Sequence, residues 1–464
     1  MAIFAVCGGA FLAFLDTTIV NTSFPDIRAS FADATPAELS WILDAYFIAL
    51  AALLVPAGGI ADRYGRRRVF LAGVALFIST SLLCAIAPSW ELLVAARALQ
   101  GLGAAIMVSV SVALLLPLFP LERRAAGVGI WGAAAALAAT VGPPLGGVLV
   151  EVADWRWIFL VNLPLGALVL LAAVRGVDES RDERASGLPD LAGSALAATG
   201  LGVLALGIVE GNGWGWGSAA VIGCFAAGAA LLAGVVARSR SHPRPLVDLE
   251  LFRIRSFRIG TLGTLLFAAA FFSTILGNIL FLTGVWGYSV LDAGLAVMPG
   301  PLTSAILAGP AGKLADRFGH RAVIVPGTLV YGAGLAILLS AGPEPDYLAT
   351  WLPGMLLAGA GIGLAFPTLG AAAAAEIPAH RFGIATALTS AGRQLGAVLG
   401  TAILVAIVGE PQSLAGAASV ADDAYLFGIA AAVLAGAVAL RLAPERSAET
   451  AIEPLYGAEK QFRP

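Results

Sequence analysis

Charge is what this sequence has least of. Only 12% of its 464 residues are Asp, Glu, Lys or Arg, about half the share of an ordinary soluble domain. That is too little solvating surface for a chain of this length to sit in water. Cysteine is scarce and scattered: Cys7, Cys84 and Cys224 lie far apart in apolar runs without neighbouring ligand residues. They read as small buried hydrophobes, with neither a disulfide framework nor a zinc site. The three histidines, His242, His320 and His380, all fall between the apolar runs, and neither a GxxxxGK[ST] phosphate loop nor an HExxH helix occurs. The reading is therefore not an enzyme, with no cofactor and no metal; energy must come from an ion gradient or a partner. A net charge of −3 and the lack of a basic tail leave no case for nucleic acid. The N-terminus has no basic n-region and no small-residue cleavage site, so residues 2–22 read as a retained helix rather than a signal peptide.

What is present is apolar length: 59% of residues are hydrophobic and the mean hydropathy is +0.89. A spanning helix needs about 20 mostly apolar residues, and windows such as 69–90, 98–121, 125–150, 259–291 and 347–375 contain no charge. Dividing the long runs at Gly, Pro and Trp clusters predicts fourteen spans: 2–22, 40–60, 69–88, 91–116, 126–150, 157–174, 189–209, 218–237, 259–283, 291–312, 321–341, 350–372, 383–408 and 424–441. The positive-inside rule supports that number. With the 23–39 loop outside, the outer loops hold only Arg28 and Arg156, whereas the inner loops and tail hold twenty-three basic residues. Both termini are then cytoplasmic.

An internal echo organises the spans. ADRYGRR (61–67) follows span 2 and ADRFGHR (315–321) follows span 10, five identities in seven residues at equivalent places. The reading is an all-α polytopic membrane protein of two six-helix bundles with two extra linking helices. Its divisions are 1–175, 176–257, 258–442 and a tail at 443–464. Repeated halves of this kind mark alternating-access transporters.

A few polar residues interrupt the spans. Asp16, in AFLDTTIVN, lies about 21 Å along span 1. A charge at a helix centre costs about 2.5–3.5 kcal/mol on insertion scales, so it faces a cavity, a partner or a proton. A hydrogen bond within its helix or to a neighbouring span is the structural alternative. Asp44 is about one turn inside the outer end of span 2 and open to hydration. Arg97, about two turns into span 4, needs a carboxylate or carbonyl, and Asp16 is the natural partner across the bundle. Arg393 lies about 15 Å into span 13, near the midplane; it and Arg97 read equally as tethers or as coupling groups. Asn21, Gln100 and Gln394 are candidates for a substrate cavity. Asp292, three residues after Ser289, reads as a helix cap. In GIADRYGRRR (59–68), Gly59 and Gly65 permit close approach and turning while Asp62 pairs with an arginine. With its counterpart at 312–321, the segment reads as a latch between helices. TVGPPLGG (140–147) reads as a bend that lines a central cavity, or as ordinary small-residue packing.

Together these segments resemble the fourteen-span drug:proton antiporter branch of the major facilitator superfamily. LDTTIVNTSFP (15–25), GGIADRYGRRR, RALQGLGAA, GPPLGG, WRWIFLVNLPLG (155–166) and GWGWGS (213–218) carry the likeness from end to end. The resemblance implies a proton-coupled exporter of drugs or other amphipathic molecules in a prokaryotic plasma membrane. Its partners are the lipid bilayer, protons and a small-molecule substrate; accessory proteins are left open. Export of a lipid, siderophore or secondary metabolite, or import of a nutrient, remain alternatives on the same fold. Carried over, Asp16 is the proton-responsive carboxylate and Arg97 the coupling arginine, with Asp44 and Arg393 as further coupling candidates. Gly59, Asp62, Arg63, Gly65, Arg66, Asp316, Arg317 and Gly319 form the cytoplasmic latches, and Gly142, Pro143, Gly146 and Gly147 the antiporter motif of span 5. Substrate and proton are expected to compete at one shared cavity. Two features depart from the branch: the basic leader before span 1 is absent, which implies a late start codon or a trimmed chain, and His320 replaces the arginine found at Arg66, which implies a weaker second latch.

Overall fold

With no water inside a bilayer, each backbone N–H and C=O must be satisfied within the chain, and a helix does this locally. The computed structural model describes residues 1–120, 124–181, 187–378, 381–408 and 414–442. The tail at 443–464 and His380 lie outside the described residues. Among those residues, fourteen helices are long and apolar enough to cross a membrane. They are α1 (Ala2–Thr22), α2 (Pro36–Tyr64), α3 (Arg66–Ala85), α4 (Trp90–Leu118), α5 (Gly129–Val152), α6 (Trp157–Gly176) and α7 (Leu191–Val209). The others are α8 (Ala219–Ser239), α9 (Arg255–Gly284), α10 (Val290–Phe318), α11 (His320–Leu338), α12 (Tyr347–Ala374), α13 (Phe382–Ile407) and α14 (Asp422–Ala439).

Every expected span has its helix, and the ends differ for local reasons. α2 starts at Pro36 because Thr35 and Glu38 form a reciprocal capping box. Both α2 and α10 outrun the expected spans and stop at glycines of positive φ, Gly65 at 111° and Gly319 at 86°. The next helices begin at the following residues, Arg66 and His320. Each echoed segment is therefore one helix end, one glycine and one helix start. Ser289 caps α10 by accepting from Asp292 N at 3.0 Å, as its spacing implies.

The first six spans share one apolar core through Leu12, Tyr46, Phe77, Met107 and Phe159, which α13 joins through Ala397 and Val398. A second core joins α9–α12 and α14 through Phe267, Tyr331, Trp351 and Tyr425. α7 packs on both α2 and α13, and α8 packs on α7. Arg238 of α8 holds Asp190, the cap of α7, at 2.6 Å. Burial pushes the Asp190 carboxyl up, but Arg238 and the Gly193 N–H hold it below the usual range.

The two halves meet along α2–α13 and α5–α10. The GPPLGG glycines explain the second contact. Gly142 and Gly146 lie against Thr18 and Ile19 of α1, whereas a Cβ on Gly147 would collide with the backbone of Leu291 on α10, and one on Gly294 with Pro143 O. Small residues let backbones approach this closely. Toward the end carrying Gly65 and Gly319, here the basic end, α5 and α10 diverge: Gly129, Gly132, Gly309 and Gly312 have no neighbour within 4 Å of a built Cβ. The α5–α10 seam is closed at its far end and open at its basic end.

Overpacking a close contact costs about 1–3 kcal/mol, a shift of about fivefold to a hundredfold in the balance between two conformations. Gly147→Val should therefore open the far end. In a cysteine-free background, Thr22→Cys should label faster from the far side when Gly147→Val is added. An unchanged rate would mean that this contact does not hold the seam closed.

Candidate functional site

Asp16 faces α4 and α6, and its carboxylate is fully enclosed. Oδ2 accepts from Arg97 Nη1 at 2.5 Å; Oδ1 accepts from Gln100 Nε2 at 2.9 Å and from Asn162 Nδ2 at 3.1 Å. Arg97 and Gln100 stand three residues apart on α4, so one helix face presents both to α1. Asn162 opens the second stretch of α6, just after a break at Val161. Ser81 of α3 accepts from Gln100 Nε2 at 2.7 Å and from Asn162 Nδ2 at 3.3 Å, which ties the two amides together. Arg97 also donates from Nε to Ile42 O at 3.0 Å and from Nη1 to Gln100 Oε1 at 2.6 Å, and its guanidinium lies 4.2 Å from the centre of the Tyr46 ring. None of Asp16, Ser81, Arg97, Gln100 and Asn162 is more than 1% exposed. A buried pair of charges holds only when its remaining bonding groups are satisfied, and here nearly all of them are. One acceptor, Asn162 Oδ1, has no partner.

The expected Asp16–Arg97 pair is present, but its surroundings correct two expectations. Gln100 belongs to this sealed network and does not line a cavity. Asn21 is spent on Thr17 O at 2.7 Å and is 2% exposed, so it lines none either. Of the three cavity candidates, Gln394 faces a small pocket that it shares with Arg393, Phe14, Thr17 and Leu50.

The large cavity lies on the opposite face of α1. Thr18 and Thr22 line it, with Pro143 of α5, Asn278 of α9, Tyr331 of α11 and Met355 of α12; no Asp, Glu, Lys or Arg does. It leaves about 60 Å³ accessible to the centre of a water molecule. Its polar wall is pre-arranged, with Tyr425 OH donating to Asn278 Oδ1 at 2.9 Å and Tyr331 OH 2.6 Å from Thr274 Oγ1. At 100° per residue, Thr18 points about 160° and Thr22 about 120° away from Asp16. Charge and cavity sit back to back on one helix, not in the one shared cavity that the sequence suggested. Pro143 does line the cavity, as expected of the span 5 motif.

Asp44 is also corrected. It is 0% exposed and neither carboxylate oxygen has a hydrogen-bond partner among the described residues, so it is buried rather than open at the helix end. It shares a helix face with Ala37 and Val55, residues that pack beside Val209 of α7, Ala402 and Val405 of α13, and Ala385 and Leu388 of α13. The sequence placed α7 as a linker and gave no sign that it covers α2.

At the basic end, Arg66 Nη2 pairs with Asp62 Oδ1 at 2.9 Å, and Arg63 is exposed over the Tyr64 ring. Glu179, beyond α6, accepts from Arg67 N at 3.0 Å and Arg68 N at 3.2 Å, capping α3. It also fills the space beside Gly65, where a Cβ would lie 2.7 Å from the carboxylate. Gly59, by contrast, has room, with Pro189 at 3.5 Å. In the second copy Asp316 and Arg317 are exposed, and Asp316 has no ion-pair partner among the described residues. Sequence reasoning missed Ser81, Asn162 and Glu179. Asn162 carried a signal, an amide inside the apolar run of span 6; Glu179 is one acid among several in a polar segment.

Comparison with known proteins agrees with this architecture. The family model for the Major Facilitator Superfamily matches residues 6–401 and again 261–461. The multidrug resistance protein Stp of Mycobacterium tuberculosis is 38% identical over 403 residues, covering 86% of this chain and 74% of that protein. The cephamycin export protein CmcT of Amycolatopsis lactamdurans is 34% identical over 455 residues, covering 97% and 93%. The tetracenomycin C resistance and export protein of Streptomyces glaucescens is 32% identical over 404 residues, covering 86% and 74%. Among solved structures, the xylose transporter XylE from E. coli in a partially occluded inward open conformation has a TM-score of 0.66 at 16% identity, covering 96% of this chain and 99% of that one. That likeness concerns the fold alone. Fourteen membrane-crossing helices in two packed halves, and a family match over most of the length, make this chain a membrane transporter, not an enzyme, and a member of the major facilitator superfamily.

Proposed function

We propose that this transporter exports drugs, antibiotics or other amphipathic small molecules in exchange for protons, from a cell membrane in which the basic end and both termini are cytoplasmic. The named relatives that resist or export antibiotics support the substrate class. The observation that carries proton coupling is the carboxylate–guanidinium pair sealed inside the bilayer, since an intramembrane ionisable pair is retained at a cost. In this reading α1 is the coupling element. Ionised Asp16 is held by Arg97, Gln100 and Asn162. When Asp16 takes a proton, Arg97 loses its countercharge and the new O–H needs an acceptor; Asn162 Oδ1 is the one left open. The rearrangement tilts α1, and Thr18 and Thr22 move with it on the cavity side. Proton and substrate thus compete through a helix rather than for a space.

Asp44 is the second coupling candidate. The bundles at 1–175 and 258–442 are the bodies that rock, with 176–257 as the linker between them, and the Asp62–Arg66–Glu179 cluster latches the first of them. Cysteines placed at Ser180 and Pro343 should react with an impermeant reagent from opposite sides, Ser180 from the cytoplasm; reaction from one side would overturn the orientation. A substrate panel on everted vesicles tests the function. Amphipathic compounds should dissipate an imposed pH gradient as they enter. A gradient that discharges only with a lipid, a siderophore or a nutrient would overturn the drug-export reading.

A further inference from the structure

Arg393, in the middle of a span, is a buried cation that the coupling network leaves unused. It lies on α13, its Nε is buried without a hydrogen-bond partner, and no carboxylate pairs with it among the described residues. Its guanidinium sits 5.3 Å from the centre of the Phe14 ring, in the small pocket that also receives Gln394. Gln394 is 5% exposed and makes no side-chain hydrogen bond among the described residues. The remaining walls, Ala13, Phe14, Leu50, Leu54 and Val108, are apolar apart from Thr17, whose hydroxyl donates to Ala13 O at 3.1 Å. A desolvated cation beside an unspent amide donor, enclosed by hydrocarbon, lacks one thing: an anion with two or more acceptor oxygens.

The position extends the argument. Phe14 lines this pocket and Thr18, one turn along α1, lines the large uncharged cavity. The pocket is also built from both halves, α1, α2 and α4 on one side and α13 on the other. The Arg393 pocket leaves only about 10 Å³ accessible to the centre of a water molecule. An amphipathic molecule with its apolar body against Tyr331, Met355 and Phe271 would therefore present an acidic group to Arg393 past Thr18 and Phe14 only as that pocket widens.

We infer that Arg393 and Gln394 form an anion subsite, and that the preferred substrates are amphipathic organic acids carrying a carboxylate or a similar oxyanion. This rests on the export reading above and names the substrate class within it. Cations are disfavoured at the same place, because the large cavity offers no acidic side chain to hold them.

The test compares 1-pyrenebutyrate with 1-pyrenebutanol, which has the same ring and linker without the charge. Purified wild-type protein should bind the acid about ten- to a hundredfold more tightly than the alcohol, the range set by a charge-assisted hydrogen bond. Arg393→Gln should erase that preference and leave alcohol binding within about twofold, a change below the scale of one such bond. Arg393→Lys should keep part of it, since the point charge remains without the fork. If Arg393→Gln does not fold, Gln394→Leu should still narrow the gap between acid and alcohol. Equal weakening of both probes would make Arg393 a structural tether, and a wild type without acid preference would overturn the subsite. If the wild type exports the alcohol but does not prefer the acid, only the anion subsite falls. If it exports neither, the export reading falls with it.

Discussion

Arg97→Ala should destabilise the protein by about 3–5 kcal/mol, the range seen when one partner of a buried ion pair is removed. It should also end gradient-driven transport. The reason lies in what remains around Asp16. Two neutral amides, Gln100 and Asn162, still donate to Oδ1, but among the described residues Oδ2 loses its only donor and the site its only cation. The carboxylate then either stays charged in hydrocarbon or takes up a proton permanently. The first outcome costs stability; the second fixes the protein in its loaded state. Arg97→Lys should recover part of the stability and little of the coupling. A lysine restores the charge but cannot hold Ile42 O, Gln100 Oε1 and Asp16 together from one planar fork. Thermal unfolding in detergent beside transport in liposomes separates the two losses. An Arg97→Ala protein with wild-type stability and wild-type coupling would show that the pair neither supports the fold nor works in it.

The fourteen helices were legible because bilayer thickness dictates the length of each apolar run and the arginines mark one end of the bundle. The Asp16–Arg97 pair was legible because charges this costly must find each other. What each helix faces was not. These helices are apolar nearly all round, so there is no polar stripe to orient them. Gln100 and Asn21 look like cavity residues in sequence and are turned away from the cavity in the fold. Asp44 looked hydrated because hydropathy placed it near a helix end, whereas burial depends on α7 and α13 lying across that face of α2. Glycine told more. Gly65 and Gly319 end their helices as the echoed segments suggested, and the crowding at Gly142, Gly146 and Gly147 explains why a helix containing two prolines carries three glycines beside them. The cavity wall of Asn278, Tyr331 and Met355 comes from three separate spans, and nothing in their spacing brings them together.

Asp16→Asn should abolish uphill transport while the protein still folds and binds substrate. Asparagine keeps the shape of the side chain, and its Oδ1 can still accept from Gln100 and Asn162. Its NH2 replaces Oδ2 and cannot accept from Arg97, which retains Ile42 O, Gln100 Oε1 and the Tyr46 ring as partners. The change removes the countercharge of Arg97 together with the group that gains and loses a proton, as protonation of Asp16 itself would. The substituted protein imitates the permanently loaded state, so α1 stays in one position and the gradient has nothing to act on. Substrate contacts lie on the other face of α1, through Thr18 and Thr22, and should survive. The central claim is therefore tested by purified Asp16→Asn protein in liposomes with an imposed pH gradient, beside a binding assay on the same preparation. Substrate affinity near that of the wild type, with accumulation reduced to the level reached without a gradient, is the predicted result. Full gradient-driven accumulation would contradict it and would move the coupling carboxylate elsewhere, with Asp44 the next candidate.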